Sequence, residues 1–190
     1  MIVGITGSIG SGKTTVANLF KKHGFKVINA DEMYHKLSKP DKSIYNKIIK
    51  EFGKGILNKD KTINRETLKK IVFSDPKKLK KLNSITHPLI LKEIKKEINN
   101  SKSKNIVLDV PLLIEAGMQE LVDKVIVIKC DEKTQIKRLL KKGKHTKKEI
   151  LNILKSQMPI KEKMEHADFV IDNKRNLNHL KTQIRHKFLN

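Results

Sequence analysis

Residues Gly7-Ser8-Ile9-Gly10-Ser11-Gly12-Lys13-Thr14 read G-x-x-x-x-G-K-T, directly behind the short β-branched run Ile2-Val3-Gly4-Ile5-Thr6. Helical signals follow from Thr15 to Lys22. A strand, a glycine loop and a helix in that order leave few folds open, because the glycines let successive backbone N–H groups turn into one concavity. The helix that follows adds partial positive charge at its N-terminus. The pattern predicts a phosphate-binding loop lined by Gly10, Ser11, Gly12, Lys13, Thr14 and Thr15. In it Lys13 reaches β- and γ-phosphates, and the Thr14 hydroxyl faces Mg²⁺. The plainer alternative is a glycine-rich turn that binds nothing.

Four further runs resemble the first: Lys26-Val27-Ile28-Asn29, Ile106 to Val110, Lys124 to Ile128, and Phe169-Val170-Ile171. Each is short, apolar and bounded by polar residues, as strands of a buried parallel sheet are. Amphipathic segments separate them, so the chain alternates β and α. At 190 residues it suits one core with inserted lobes. From 32 to about 104 only helical signals occur, with Ile44, Ile48, Ile49 and Phe52 in one stripe and Leu68, Ile71 and Val72 in another. Asp75-Pro76 starts a helix that continues past Pro88, where a kink or break is expected. Glu132 to Lys142 is helical, Gly143-Lys144-His145 breaks it, and Thr146-Lys147-Lys148-Glu149 is a capping box. That basic helical hairpin can close over a nucleotide. A last helix, Asn176 to Asn190, places Leu177, Leu180, Ile184 and Phe188 on one face.

Lys and Arg total 42 against 20 Asp and Glu, a formal charge of +22. Such an excess is compatible with nucleic acid, an anionic surface or small polyanions, and also with plain lysine-rich solvated helix faces. Aromatic residues make up only 4%, which leaves few stacking platforms for bases, and nucleic acid is not expected as a partner. The lone Cys130 allows no internal disulfide and reads as a small buried residue. No apolar run approaches the roughly 18 residues of a membrane span. The first residues read as the loop's strand and not as a leader, so a cytoplasmic setting is expected, with no membrane and no obligate protein partner. D-x-x-G and N-K-x-D, which a GTP switch needs, are both missing.

Asp31 follows the second strand, on the side where open α/β sheets bind ligands. It can take a proton from an attacking hydroxyl or help orient Mg²⁺, or simply cap the helix that starts there. Asp109 ends the third strand in the place of a carboxylate that holds a Mg²⁺ shell. Arg138 and Lys142 lie four apart on one helix face and can neutralise charge on a transferred phosphoryl group. Arginine is rare here, restricted to Arg65, Arg138, Arg175 and Arg185, and its planar fork suits phosphate. His87 before Pro88 is either a helix-break residue or a ligand contact.

Together these residues resemble the dephospho-CoA kinase family. The resemblance runs through Ile5 to Val16, Asn29-Ala30-Asp31, Thr86-His87-Pro88-Leu89-Ile90, Asp109 to Glu115, Gln135 to Leu139, Gln157-Met158-Pro159 and Ala167 to Asn173, almost the whole chain in order. It implies an α/β P-loop kinase with a parallel five-stranded sheet flanked by helices, plus helical substrate-binding and lid insertions. The implied parts are a nucleotide-binding core at 1–31, 104–137 and 160–190, a CoA-binding lobe at 32–103 and a lid at 138–159. It further implies ATP-dependent phosphorylation of the ribose 3′-hydroxyl of dephospho-CoA, giving CoA and ADP, with Mg²⁺. Asp31 matches the residue that activates the hydroxyl, Arg138 a lid-region arginine, and Asn173 a residue near the adenine pocket. Where the family has D-A-D this chain has Asn29-Ala30-Asp31, and Lys142 stands where a second arginine is usual. A kinase for a nucleoside monophosphate or a short metabolite is the alternative that the loop alone leaves open.

Overall fold

The computed structural model describes every residue except Lys144, Arg175, Asn176 and Asn190, and leaves the side chains of Lys187 and Leu189 undescribed. The turn expected at Lys144 and both ends expected for the last helix therefore lie outside the described residues. The chain forms two compact units, residues 1–28 with 101–190, and residues 29–100.

The first unit is built on the sheet. Strands β1 (Ile2–Thr6), β2 (Lys26–Asn29), β3 (Ile106–Asp109), β4 (Lys124–Lys129) and β5 (Phe169–Asp172) lie in the order β2-β3-β1-β4-β5. The ladders joining β1 to β3, β1 to β4 and β4 to β5 are all parallel. All five predicted runs are strands, because a sheet buried on both faces needs continuous apolar stretches. Pairing sets Ile5 opposite Asp109, so the end of β3 lies beside the end of β1, where the glycine loop begins.

One sheet face, with Val3, Ile5, Val107, Ile126, Ile128 and Ile171, packs against α1 (Lys13–Lys22) and α9 (Leu177–Ile184). Phe20 of α1 is fully buried and meets Phe25 and Phe188 edge to face, at centroid distances of 5.1 and 5.6 Å. Leu180 and Ile184 are buried as the apolar stripe predicts, but Leu177, the first residue of α9, is 48% exposed. Beyond Ile184 the chain widens into a π turn, Arg185–Leu189. On the other face β1 presents Gly4, where an added Cβ would lie 2.7 Å from Leu113. Helices α6 (Glu132–Lys141), α7 (Lys147–Ser156) and α8 (Ile160–Glu165) complete the unit. The predicted capping box is present, with Thr146 and Glu149 satisfying each other's backbone N–H.

The second unit is helical: α2 (Ala30–Leu37), α3 (Ser43–Phe52), α4 (Arg65–Phe73) and α5 (Pro76–Asn99). Caps fix three of its helix starts, since Asn29, Asn64 and Asp75 accept from the N–H groups of Glu32, Thr67 and Lys77. Helix α5 does not break at Pro88; it runs unbroken for 24 residues. Proline there removes one backbone donor, and packing of α2, α3 and α4 along α5 outweighs that loss. A single bridge, Leu57 to Ile63, closes a turn that the helical periodicity gave no sign of.

The aromatic cluster yields a stability test. Phe20→Ala should lower the unfolding free energy by about 3–5 kcal/mol, read by urea denaturation. A loss below about 1 kcal/mol, the range of surface substitutions, would mean that the cluster does not anchor α1.

Candidate active site

The glycine loop leaves β1 and enters α1 without any side-chain cap. Gly12 occupies the N-cap position at φ 98°, and the first turn of α1 carries no acidic residue. A helix start of this kind has the chemistry to receive an anion. Gly7, at φ 147°, lies so close to β4 that an added Cβ would come within 2.5 Å of the Ile128 carbonyl oxygen. Lys13 folds over the loop, its Nζ donating to the carbonyls of Gly7 at 2.8 Å and Ser8 at 3.2 Å. Ser11 is buried, and its Oγ has no hydrogen-bond partner. Thr14 and Thr15 are exposed on the first turn of α1.

Asn173, at the end of β5, is the loop's main external support. Its Nδ2 donates to the Ser11 carbonyl at 2.7 Å, and the backbone passes so close that a Cβ on Gly12 would collide with the amide. The Asn173 carbonyl accepts from Arg138 Nη2 at 2.9 Å. Arg138 Nη1 also points at Cys130 Sγ, 3.5 Å away. Burial pushes the Cys130 thiol up, with the Arg138 cation pulling the other way, so this cysteine stays a thiol. The sequence placed Asn173 and Arg138 at separate tasks; the structure brings them together against the loop. Lys142 ends α6 as its C-cap, exposed.

Asp109 is only 3% exposed, beside the loop at the carboxyl end of β3. The Thr14 hydroxyl and the Asp109 carboxylate are both hard oxygen donors, which suits an Mg²⁺ shared with phosphates and water. Asp31 belongs to the helical unit, exposed in the first turn of α2. It is not the cap that its position suggested, since Asn29 performs that task. The Asp31 carboxylate is therefore not engaged in starting the helix. His87 lies within α5, one residue before Pro88, and does not mark a break.

Four residues of the first unit, Lys163, Glu115, Gln157 and Thr6, hold its backbone together in ways that periodicity does not reveal. Lys163 is fully buried, its Nζ 2.7 Å from Glu115 Oε1 and donating to the Pro111 carbonyl at 3.0 Å. Glu115 Oε1 also accepts from the Met158 N–H at 3.2 Å, and Gln157 Oε1 accepts from the Ile9 N–H of the glycine loop at 2.9 Å. Thr6 Oγ1 donates to the same Pro111 carbonyl at 2.9 Å. The segment between α7 and α8 is thereby fastened to the loop and to the turn after β3. Lys163 was one basic residue among 42 and gave no signal. Only its place on α8, after Pro159, hints at an inward-facing side chain.

Removing one member of a buried ion pair strands the other charge. Lys163→Met should cost about 3 kcal/mol in denaturant unfolding. Adding Glu115→Gln should recover part of that, because the neutral amide still accepts from Met158. A double variant no more stable than Lys163→Met would show that the pair is not what Lys163 contributes.

The dephospho-CoA kinase family model matches residues 1–179. The dephospho-CoA kinase of Carboxydothermus hydrogenoformans is 44% identical over 186 residues, covering 96% of this chain and 90% of that protein. A solved structure of the Campylobacter jejuni dephospho-CoA kinase superposes with a TM-score of 0.66 at 32% identity, over 96% of this chain and 92% of that one. A crystal structure of a Thermus thermophilus protein gives a TM-score of 0.81 at 27% identity, over 98% of this chain and 95% of its own. With the sheet order, the glycine loop and these matches in agreement, the chain belongs to the dephospho-CoA kinase family.

Proposed function

We propose that this chain moves the γ-phosphoryl group of ATP onto the ribose 3′-hydroxyl of dephospho-CoA by the following division of labour. Family membership gives it dephospho-CoA kinase activity, the final step of CoA biosynthesis, in an ATP-using family. The observation that carries the residue assignments is the loop itself: an uncapped α1 start, with Lys13 bent over it. Loop N–H groups from Gly10 to Thr15 bind the triphosphate. Lys13, whose Nζ donates to two loop carbonyls, turns to charged phosphate oxygens, which make charge-assisted hydrogen bonds. Asp31 takes the proton of the 3′-hydroxyl as that oxygen bonds to the γ-phosphorus, and the bond to the β-phosphate oxygen breaks to release ADP.

Arg138, held by the Asn173 carbonyl beside the loop, supplies a fixed cation for charge on the transferred group. Asn173 keeps the loop in shape from the side on which the adenine is placed. Thr14 and Asp109 would hold Mg²⁺, which would supply positive charge against the phosphate oxygens. The nucleotide core is assigned to 1–31, 104–137 and 160–190, the CoA-binding lobe to 32–103 and the lid to 138–159. Among the described residues no helix is long and apolar enough to cross a membrane.

A coupled ADP-release assay comparing dephospho-CoA, adenosine, AMP and shikimate tests the whole reading. Dephospho-CoA should give the highest kcat/KM; a preference for any other acceptor would overturn it. Asp31→Ala should lose about 10²–10⁴-fold in kcat with ATP affinity nearly unchanged, and Lys13→Ala should lose more. Wild-type turnover in Asp31→Ala would remove that residue from the chemistry.

A further inference from the structure

The helical unit contains a cavity of about 250 Å³ where the end of α2, the turn behind it and the segment leading into α4 meet. Its titratable walls are Tyr34, His35, Lys39 and Arg65, and no Asp or Glu lines it. Arg65 Nη1 lies 3.0 Å from His35 Nε2. A guanidinium only donates, so Nε2 is the acceptor and the ring is neutral, with its proton on Nδ1. Burial, and then the Arg65 cation, hold His35 below its ordinary range, against the pull of Asp31 and Glu32. A neutral ring thus orients the guanidinium without cancelling its charge. Among the described residues Arg65 makes no ion pair. Burial pushes the Tyr34 phenol up, with Arg65 pulling it down, and its O–H remains a donor.

The cavity is smaller than the roughly 300–1,000 Å³ of sites that enclose a whole drug-sized ligand. It suits one compact polar group, and the wall chemistry calls for an anion. Asp31 and His35 stand four apart on α2, on one face and about one 5.4 Å turn from each other. In dephospho-CoA the 3′-hydroxyl and the 5′-diphosphate hang from the same ribose. A sugar that offers its hydroxyl to Asp31 has Arg65, one turn further along α2 beside His35, within the span of its diphosphate.

We propose that this cavity is the diphosphate-recognition site for the acceptor, with Arg65 and Lys39 binding the phosphates and His35 positioning the Arg65 fork. The assignment rests on Asp31 serving the 3′-hydroxyl, as argued above. Its discriminating test uses the full chain, with steady-state kinetics for both substrates and calorimetric titration with dephospho-CoA and with adenosine. In Arg65→Ala, KM for dephospho-CoA should rise about 10- to 100-fold, as for a lost hydrogen bond to a charged group. KM for ATP should stay within two-fold or so of wild type, and weak binding of adenosine, which has no diphosphate, should not change. Arg65→Lys keeps the charge without the fork and should fall between; it also serves if the alanine variant unfolds. Unchanged KM for dephospho-CoA in both variants would overturn the site, as would a rise in KM for ATP instead. A wild-type chain that binds dephospho-CoA through Arg65 without phosphorylating it would keep the cavity assignment and defeat the kinase reading.

Discussion

The contact between Asn173 and the glycine loop governs the first unit. The amide donates to the Ser11 carbonyl, and the backbone approach leaves no room for a side chain at Gly12. Three demands meet there. The loop must turn tightly enough to aim N–H groups inward, α1 must start uncapped, and β5 must end close enough to support both. Each alone is common in α/β folds. Their coincidence explains why the end of the last strand, far away in sequence, supports the glycine loop. The Asn173 carbonyl then fixes Arg138, so one residue shapes the anion cradle with its side chain and places a cation beside it with its backbone.

The fold was largely legible because its signals are local. Five short β-branched runs became five strands, and the capping patterns at Asp75 and Thr146 became helix starts. Of the kink or break expected at Pro88, the break does not occur, because proline's cost is one donor and one local clash, while the benefit of continuing α5 comes from three helices packed along it. Leu177 keeps the helical spacing of Leu180 and Ile184 but, as the first residue of α9, is exposed while they are buried. Of the candidate site, the shape of the loop was legible, since Gly7, Gly10 and Gly12 stand where the backbone takes positive φ and packs too tightly for a side chain. The cap reading of Asp31 did not survive, because Asn29 two residues earlier already fills that position. The buried Lys163–Glu115 pair could not be found by pattern. Its partners lie on separate segments, and in a chain this rich in lysine neither charge nor spacing singles one out.

That pair also shows how the chain organises polar groups in its interior. A fully buried ammonium is costly unless its donors are used, and Lys163 spends two on Glu115 and on the Pro111 carbonyl. The same Pro111 carbonyl accepts from Thr6, at the last position of β1. Glu115 in turn receives the Met158 N–H, one residue from the glutamine that holds the Ile9 N–H. The glycine loop is thus braced on one side by an amide and on the other by a charged relay. Bracing of this kind lets a loop keep its shape while its own N–H groups are left for a ligand.

The formal charge of +22 invites a simple electrostatic account, and the residues argue for a divided one. A positive field raises the local concentration of polyanions and is screened by salt, but it selects no particular anion. Selection needs a fixed direction. Of the arginines, Arg138 is oriented by a backbone carbonyl and Arg65 by a neutral imidazole, and neither makes an ion pair among the described residues. Each guanidinium therefore keeps its full charge while its plane is set by an uncharged partner. The abundant lysines supply the field, and the scarce arginines supply geometry. On this view, adding lysines to the surface would change encounter rates and salt dependence, whereas turning either arginine into lysine would alter which anion is held, and in what orientation.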